Sequence, residues 1–204
     1  MIAMIDYGVG NIQAFLNVFK RLGIDACRVS IPDELQNASH LILPGVGAFD
    51  HAMTLLQHSG LLSKMKELVL ERKMPLLGIC VGMQMLASGS DEGQLPGLGW
   101  VPGRVRSFRN LPELQHLPMP HMGWNDVKFR HDHVLFKNFE SEARFYFLHS
   151  YYFAAGDRSD VVATAEYGMD FDCVVSRGNV FGIQCHPEKS HHFGARLLKN
   201  FAEI

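Results

Sequence analysis

Short apolar segments alternate with segments of helical periodicity along the first half of the chain. The apolar segments, which have the length of buried strands, are residues 2–5, 26–31, 40–43 and 74–79. The segments with apolar side chains three and four positions apart, as in amphipathic helices, are residues 11–22, 48–58 and 61–71. This alternation predicts an α/β fold built from β-α units on a mostly parallel sheet.

The second half of the chain is interrupted by prolines and glycines, which predicts short strands and irregular connections. The segments rich in β-branched and aromatic residues, which we predict to be strands, are residues 143–153, 161–165, 173–176 and 180–184. The Arg-Gly-Asn sequence at residues 177–179 predicts a hairpin turn, and residues 193–201 predict a final helix. We expect additional antiparallel strands here, within a single domain over residues 1–204.

Composition narrows the range of functions. The 204 residues are 47% hydrophobic and 20% charged, with a formal net charge of −2, so no basic excess favours nucleic acid. Every apolar segment is far shorter than the roughly 20 residues of a membrane-spanning helix. The N-terminus lacks the basic region of a signal peptide. We therefore expect a cytoplasmic protein that binds neither nucleic acid nor membranes.

Cysteine and histidine spacing gives no support for a structural metal site or a disulfide framework. The cysteines, which are scattered and contain no C-x-x-C pair, are Cys27, Cys80, Cys173 and Cys185. The histidines that form close pairs in the sequence are His131, His133, His191 and His192. Because no cysteine or carboxylate pattern completes a ligand set around these pairs, we predict no metal.

Cys80 has the sequence context of a nucleophile. It lies where the apolar segment 74–79 gives way to a helical pattern, so its sulfur would face a helix N-terminus, which favours the thiolate. Gly78 and Gly82 flank it as in the G-x-S-x-G nucleophile elbow, with cysteine in place of serine. The amide of Val81 would then point into the site. The alternative is that Cys80 is a small buried core residue, as most free cysteines are.

His186 is the preferred base among the eleven histidines because it follows the predicted strand 180–184. The carboxyl ends of parallel strands share one edge of a sheet, so His186 and Cys80 would meet there. Glu188 lies two residues further on and can orient the imidazole. The glycine-rich turn at residues 43–48 lacks the ending of a phosphate-binding loop, and its amides are suited to an oxyanion hole.

These residues resemble a known enzyme family. The segments similar to class I (triad) glutamine amidotransferases are 44–49 (Pro-Gly-Val-Gly-Ala-Phe), 78–84 (Gly-Ile-Cys-Val-Gly-Met-Gln) and 186–190 (His-Pro-Glu-Lys-Ser). The segments similar to glutaminase subunits of imidazole glycerol phosphate synthases are 5–11 (Ile-Asp-Tyr-Gly-Val-Gly-Asn), 120–125 (Pro-His-Met-Gly-Trp-Asn) and 146–152 (Tyr-Phe-Leu-His-Ser-Tyr-Tyr). The resemblance covers nearly the whole chain. It implies a flavodoxin-like α/β domain with helices on both faces of the sheet.

The resemblance also implies roles for individual residues. Cys80 matches the nucleophile, His186 the general base and acid, and Glu188 the residue that orients the histidine. Backbone amides of Val81 and of Val46 or Gly47 match the oxyanion hole. The positions that match the glutamine site are Gly45, Gln84, Glu92, Ser150 and Tyr151. The positions that match the partner interface are Trp124 and Lys189.

The implied reaction is hydrolysis of L-glutamine to L-glutamate and ammonia through a cysteinyl thioester, without metal or organic cofactor. The implied partner is a separate (β/α)8-barrel cyclase, with which the chain forms a heterodimer in histidine biosynthesis. This cyclase uses the ammonia to make imidazole glycerol phosphate and aminoimidazole carboxamide ribotide.

Cys185 is one departure from the family pattern, because relatives often carry a bulky apolar residue at this position. We interpret Cys185 as a residue that packs in the core.

Three alternatives stay open at this point. The chain could serve another synthase, such as an anthranilate or pyridoxal phosphate synthase, because all of them share the triad. It could be a nucleotide-binding module built on Gly8 and Gly10, although Gln13 stands where the third glycine of that fingerprint belongs. It could also be a non-catalytic regulatory partner, which an intact triad disfavours.

Overall fold

The computed structural model describes residues 1–140 and 142–204. The elements of the first half are β1 (Ile2–Ile5), α1 (Ile12–Leu22), β2 (Ala26–Val29), β3 (His40–Gly45), α2 (Phe49–His58), α3 (Leu61–Lys66), β4 (Leu76–Cys80) and α4 (Val81–Met85). The elements of the second half are β5 (Gly103–Ser107), β6 (His121–Phe129), β7 (Ala143–His149), β8 (Tyr151–Ala155), β9 (Val161–Glu166), β10 (Asp170–Arg177), β11 (Val180–Ile183) and α5 (His191–Ala202).

Within the described residues, eleven strands join one sheet. Strands β2, β1, β3, β4 and β11 lie side by side in this order, and all are parallel. This is the 2-1-3-4-5 order of flavodoxin-like sheets, with β11 as the fifth strand. Beyond β11 the antiparallel strands β10, β9, β6 and β7 extend the sheet, and β8 pairs with both β10 and β5. The predicted fold class is therefore confirmed.

The connections explain why helices cover both faces of the parallel part. Helix α1 connects β1 to β2 in one direction along the sheet, whereas α2 and α3 connect β3 to β4 in the opposite direction. Right-handed crossovers place connections of opposite direction on opposite faces. Accordingly, α1 packs against α5, and α2 packs against α3 and α4.

Helix α1 shows how the sequence determines element boundaries. The Asn11 side chain accepts a hydrogen bond from the backbone amide of Ala14 at 3.2 Å, which caps the free N-terminal amides. Gly23 ends the helix in the left-handed conformation, with φ of 69°. The predicted helix 61–71 is α3 followed by a π-helical turn, Glu67–Glu71. In the described parts of the chain, no helix is long and apolar enough to cross a membrane.

Two features of the second half differ from the sequence interpretation. The segment 143–153 is not one strand but two, because the chain leaves β7 at Ser150 and β8 then pairs with β5 instead of β6. Strand β6 was not predicted. Only His121 and Val127 among its nine residues are buried, and its apolar residues do not keep to one face, because Met122 and Trp124 lie on the exposed side and Val127 and Phe129 on the other. The predicted hairpin between β10 and β11 is confirmed.

Candidate active site

Three chain segments meet at the carboxyl edge of the parallel strands. Strand β4 lies between β3 and β11, with Cys80 paired to Gly45 and Ile79 paired to Ile183. The residues that follow these strands therefore come together, as expected for ligand sites in open α/β sheets. The Cys80 elbow lies in the middle, the glycine-rich turn on one side and His186 on the other.

The backbone of Cys80 has the strained conformation of a nucleophile elbow. Its φ of 56° and ψ of −114° are unfavourable for a residue with a side chain. A Cβ atom on Gly78 would lie 2.6 Å from the carbonyl oxygen of Gly82, and one on Gly82 would lie 1.9 Å from that of Leu43. Because both clashes are with backbone, the two flanking positions require glycine. The elbow geometry predicted from the sequence is present.

The elbow opens into a pocket of about 320 Å³. The residues that line it are Val46, Gly47, Cys80, Val81, Gln84, Glu92, Pro120, Leu148, His149, Ser150, Tyr151, His186 and Lys189. Most of the site residues predicted from the sequence are in this set. Glu188 lies behind His186, Gly45 lies in the glycine-rich turn without lining the pocket, and Trp124 lies outside the pocket on β6.

His186 and Glu188 form a buried pair, with the imidazole Nδ1 3.0 Å from the carboxylate Oε1. Burial alone would lower the pKa of His186. Hydrogen bonding and charge from Cys80 and Glu188 outweigh burial and raise this pKa to about 10. The second carboxylate oxygen, Oε2, has no hydrogen-bond partner among the described residues. At neutral pH His186 is therefore an imidazolium, and it lies beside the Cys80 sulfur.

The backbone around His186 is fixed by strand β7. The amide of His186 donates to the carbonyl oxygen of Tyr146 at 2.8 Å, and the amide of Tyr146 donates to the Ser190 hydroxyl at 3.0 Å. That hydroxyl in turn donates to the carbonyl of His186 at 2.7 Å. The ammonium of Lys189 lies 5.6 Å from the centre of the Tyr146 ring. The outer edge of β7 is thus bonded to residues 186–190.

The glycine-rich turn forms the opposite wall. Val46 and Gly47 line the pocket, and Gly47 has a φ of 83°. The buried Tyr7 hydroxyl supports the turn by donating to the carbonyl of Pro44 at 2.7 Å. Gly45 was expected to bind substrate but faces the elbow, since a Cβ there would lie 2.4 Å from the amide nitrogen of Gly82. Its lack of a side chain allows the turn and the elbow to pack closely.

Gln84 and Glu92 line the pocket through side chains that the protein already holds. The Gln84 amide nitrogen donates to the carbonyl of Tyr151 at 3.2 Å and to the Gln184 side-chain oxygen at 3.0 Å. One carboxylate oxygen of Glu92 accepts from the amide of Phe49 at 2.9 Å, at the start of α2. Both side chains are therefore oriented without a ligand.

Sequence reasoning missed several residues of the site. Gln184 is fully buried, and its amide nitrogen lies 3.7 Å from the Cys80 sulfur. Tyr7 supports the turn, and His149, Leu148 and Pro120 line the pocket. All but Gln184 lie within segments that resemble the family, and Gln184 comes two residues before the predicted base. A buried polar residue next to a predicted catalytic residue is the signal that was available.

Other sequence features have structural roles. Gly8 and Gly10 have φ values of 101° and 100°, and a Cβ on Gly10 would lie 3.0 Å from the Pro44 side chain. They turn the chain beneath the active site, which removes the basis for a nucleotide fingerprint. Cys185 is buried in the core, and this burial raises the pKa of its thiol. Within the described residues, no group of three or more His, Cys, Asp or Glu side chains is placed to hold a metal ion.

A sequence model of the family described as "Glutamine amidotransferase class-I" matches residues 3–204, which is nearly the entire chain. The chain belongs to the class-I glutamine amidotransferase family. Enzymes of this family release ammonia from glutamine, and the pocket of this chain is lined by the Cys80 thiol and the His186 imidazole. The resemblance first noted in short segments thus extends over the whole domain.

Relatives identify a branch of the glutamine amidotransferases. The chain is 58% identical to "Imidazole glycerol phosphate synthase subunit HisH" of Bdellovibrio bacteriovorus, and 48% identical to the protein of the same name from Leptospira borgpetersenii. Each alignment covers 100% of both chains. A Methanococcus maripaludis protein, "Imidazole glycerol phosphate synthase subunit HisH 2", is 44% identical, with 98% of each chain covered.

Solved structures support the same fold. One crystal structure of a glutamine amidotransferase superimposes with a TM-score of 0.77 at 22% identity, covering 100% of both chains. A glutamine amidotransferase from Thermotoga maritima gives a TM-score of 0.65 at 21% identity, covering 99% of this chain and 80% of the other. At these identities the likeness concerns the class-I glutamine amidotransferase fold.

Proposed function

We propose that this chain is the glutaminase subunit of an imidazole glycerol phosphate synthase and supplies ammonia for histidine biosynthesis. Full-length identities of up to 58% with HisH subunits support the pathway. The observation that carries the chemistry is one pocket lined by Cys80 and His186, with the Glu188 carboxylate 3.0 Å behind the imidazole. This is the nucleophile, base and orienting residue of a triad.

The proposed reaction begins with attack of the Cys80 thiolate on the side-chain amide carbon of glutamine. The amides of Val81 and of the turn at residues 46–47 stabilise the resulting oxyanion, each donor contributing about 3 kcal/mol in comparable hydrolases. His186 protonates the departing ammonia and leaves a thioester on Cys80. The neutral imidazole then takes a proton from water, which attacks the thioester and releases glutamate.

The remaining pocket residues fit the amino-acid end of the substrate. Glu92 provides a carboxylate for the α-ammonium group, and Gln84 provides an amide oxygen whose partner nitrogen is already bonded. Ser150 and Tyr151 border the pocket where β7 ends and β8 begins. We assign these four residues to glutamine binding.

The proposed partner is the (β/α)8-barrel cyclase subunit, in a heterodimer located in the cytoplasm. Ammonia is protonated in water, so its transfer requires a sealed interface at least about 1,600 Å² in size. Met122 and Trp124, with 64% and 40% of their surface exposed, lie on β6 just after Pro120 of the pocket. With Lys189 at the pocket wall, they mark the face that we assign to the cyclase.

Glutamate release by the purified chain tests the proposal, measured alone and with the cyclase subunit carrying its nucleotide ligand. We expect slow release by the chain alone and strong stimulation by the loaded cyclase. Cys80→Ser should abolish glutamate release while leaving binding to the cyclase intact. Cys27→Ser, which changes a cysteine far from the pocket, should retain glutamate release. Stimulation by an anthranilate or pyridoxal phosphate synthase instead would overturn the pathway. Unchanged release by Cys80→Ser would overturn the nucleophile.

A further inference from the structure

Two buried histidines form a pair beside the pocket, and neither takes part in the reaction described above. His121 on β6 and His149 on β7 are register partners. The His121 Nδ1 lies 3.0 Å from the His149 Nε2, and the His149 Nδ1 lies 2.8 Å from the carbonyl oxygen of Tyr151. The amide nitrogen of Asn125 lies 3.3 Å from the His121 Nε2. Four residues are thus connected by three hydrogen bonds.

The donor and acceptor of each of these three hydrogen bonds follow from the last group in the row, the carbonyl of Tyr151. The carbonyl of Tyr151 only accepts, so the His149 Nδ1 must carry a proton. A neutral His149 then has a bare Nε2, which accepts from a protonated Nδ1 of His121. The Nε2 of His121 is therefore also bare and accepts from the Asn125 amide. Both imidazoles are fixed as neutral Nδ1–H tautomers.

The surroundings of the pair favour this neutral state. The His121 ring stacks between Phe147 and Tyr167, with centroid distances of 5.2 and 4.2 Å. The His149 ring packs against Phe108 and Phe171 at 5.6 and 5.1 Å. Burial lowers the pKa of His121 to about 4 and that of His149 to about 3. A proton added to the His149 Nε2 would face the His121 Nδ1–H at 3.0 Å, and one added to the His121 Nε2 would face the Asn125 amide at 3.3 Å.

This row of hydrogen bonds ends at the carbonyl of Tyr151, which also holds Gln84. The carbonyl of Tyr151 accepts from the His149 Nδ1 and also from the Gln84 amide nitrogen at 3.2 Å. The other hydrogen of that nitrogen is donated to Gln184. With both hydrogens used, Gln84 has its oxygen free as an acceptor, and no donor among the described residues is bonded to it. Gln84 and His149 both line the pocket.

We propose that His149 is a positioning residue for glutamine binding, which holds the Tyr151 carbonyl and through it the Gln84 amide, and that His121 fixes the tautomer of His149. The proposal rests on the proposed glutaminase function. It explains why two imidazoles occupy an environment of aromatic rings. It also assigns a role to the strand break at Ser150, which places this carbonyl at the pocket.

Three substitutions at one position separate positioning from packing. In His149→Asn, the side-chain amide nitrogen occupies the place of Nδ1 and can still donate to Tyr151. In His149→Gln, the longer side chain reaches the place of Nε2 and keeps only the contact with His121. His149→Leu removes both contacts. Steady-state glutamate release is measured for each variant with the loaded cyclase, with His58→Leu on the exposed end of α2 as control.

We expect His149→Leu and His149→Gln to raise KM for glutamine at least about tenfold with a smaller change in kcat. His149→Asn should restore KM to within about threefold of the wild-type value, and His58→Leu should not change it. Rescue by glutamine and not by asparagine, or an unchanged KM in His149→Leu and His149→Gln, would overturn the positioning role.

Imidazole ¹⁵N spectra of the wild-type chain provide a readout that does not depend on turnover. Near neutral pH, His121 and His149 should both be neutral with the proton on Nδ1. An Nε2–H tautomer or a charged ring at either position would overturn the hydrogen-bond chain directly. If wild-type protein with an intact Cys80 hydrolyses no glutamine with any partner, the proposed function fails instead, and this spectrum then decides the hydrogen-bond chain alone.

Discussion

His186 and His149 line the same pocket from two regions of the sheet, each with 6% of its surface exposed. His186 follows a parallel strand and faces Cys80 and Glu188, which raise its pKa to about 10 against the effect of burial. His149 ends an antiparallel strand and faces a second imidazole and a carbonyl, and burial lowers its pKa to about 3.

The difference shows that burial does not determine the charge of a histidine in this protein. Burial opposes the charged form in both regions, and the presence of an anionic partner decides the outcome. The region with the carboxylate and the thiol holds a proton that can be given to ammonia. The region without them holds a neutral ring whose fixed N–H can orient a neighbouring group. One residue type thus serves two purposes across one pocket.

The largest expected effect comes from replacing His186, which is the charged histidine of the two. His186→Gln should lower kcat for glutamate release about 10³- to 10⁴-fold, because both the acid and the base are lost. By contrast, the variants of His149 should act mainly on KM. Single-turnover release with the loaded cyclase measures the difference. A loss of less than tenfold in His186→Gln would show that another group moves the proton.

An intermediate effect is expected from removing only the anionic partner. Glu188→Gln keeps the shape of the side chain and removes the charge that helps to raise the pKa of His186. This pKa should move from about 10 towards its ordinary value of 6.5. We expect kcat/KM to fall about 100-fold and its alkaline limb to shift to lower pH. A pH profile with an unchanged alkaline limb would contradict the assignment of Glu188.

The smallest effect is expected on stability, and its sign differs between the regions. Because His121 and His149 have lowered pKa values, their contribution to the stability of the fold is present above pH 6.5. This contribution is lost as the pH falls towards 4. Urea unfolding should show a loss on the order of 3 kcal/mol between about pH 7 and pH 5. The raised pKa of His186 has the opposite effect. Its contribution to the stability of the fold is fully present below pH 6.5 and is lost as the pH rises towards 10.

Replacing both His121 and His149 by leucine should flatten the acid side of this stability profile. His58→Leu, at an exposed histidine with no role in the pair, should leave the slope as it is in the wild type. An unchanged acid slope in the double variant would mean that other groups take up the protons. The alkaline side should respond to Glu188→Gln and not to the leucine variants.

The sequence predicted the two regions unequally. Cys80 and His186 follow apolar strands, and the glycines around Cys80 have no other explanation, so local patterns were enough to place them at one edge. Strand β6 has few buried residues, and its apolar residues are divided between its two faces, so it could not be recognised. The pair of His121 and His149, 28 residues apart in the sequence, depends on the register between β6 and β7, which no local pattern encodes.

Strand β7 is the last strand at its end of the sheet, and its outer edge is bonded to residues 186–190 through Tyr146. An uncovered strand edge is a template for pairing with another molecule, and native proteins protect such edges. The segment that carries His186 therefore also covers this edge at Tyr146. Substitutions at Ser190 that free this edge should reduce solubility during expression, independently of their effect on turnover.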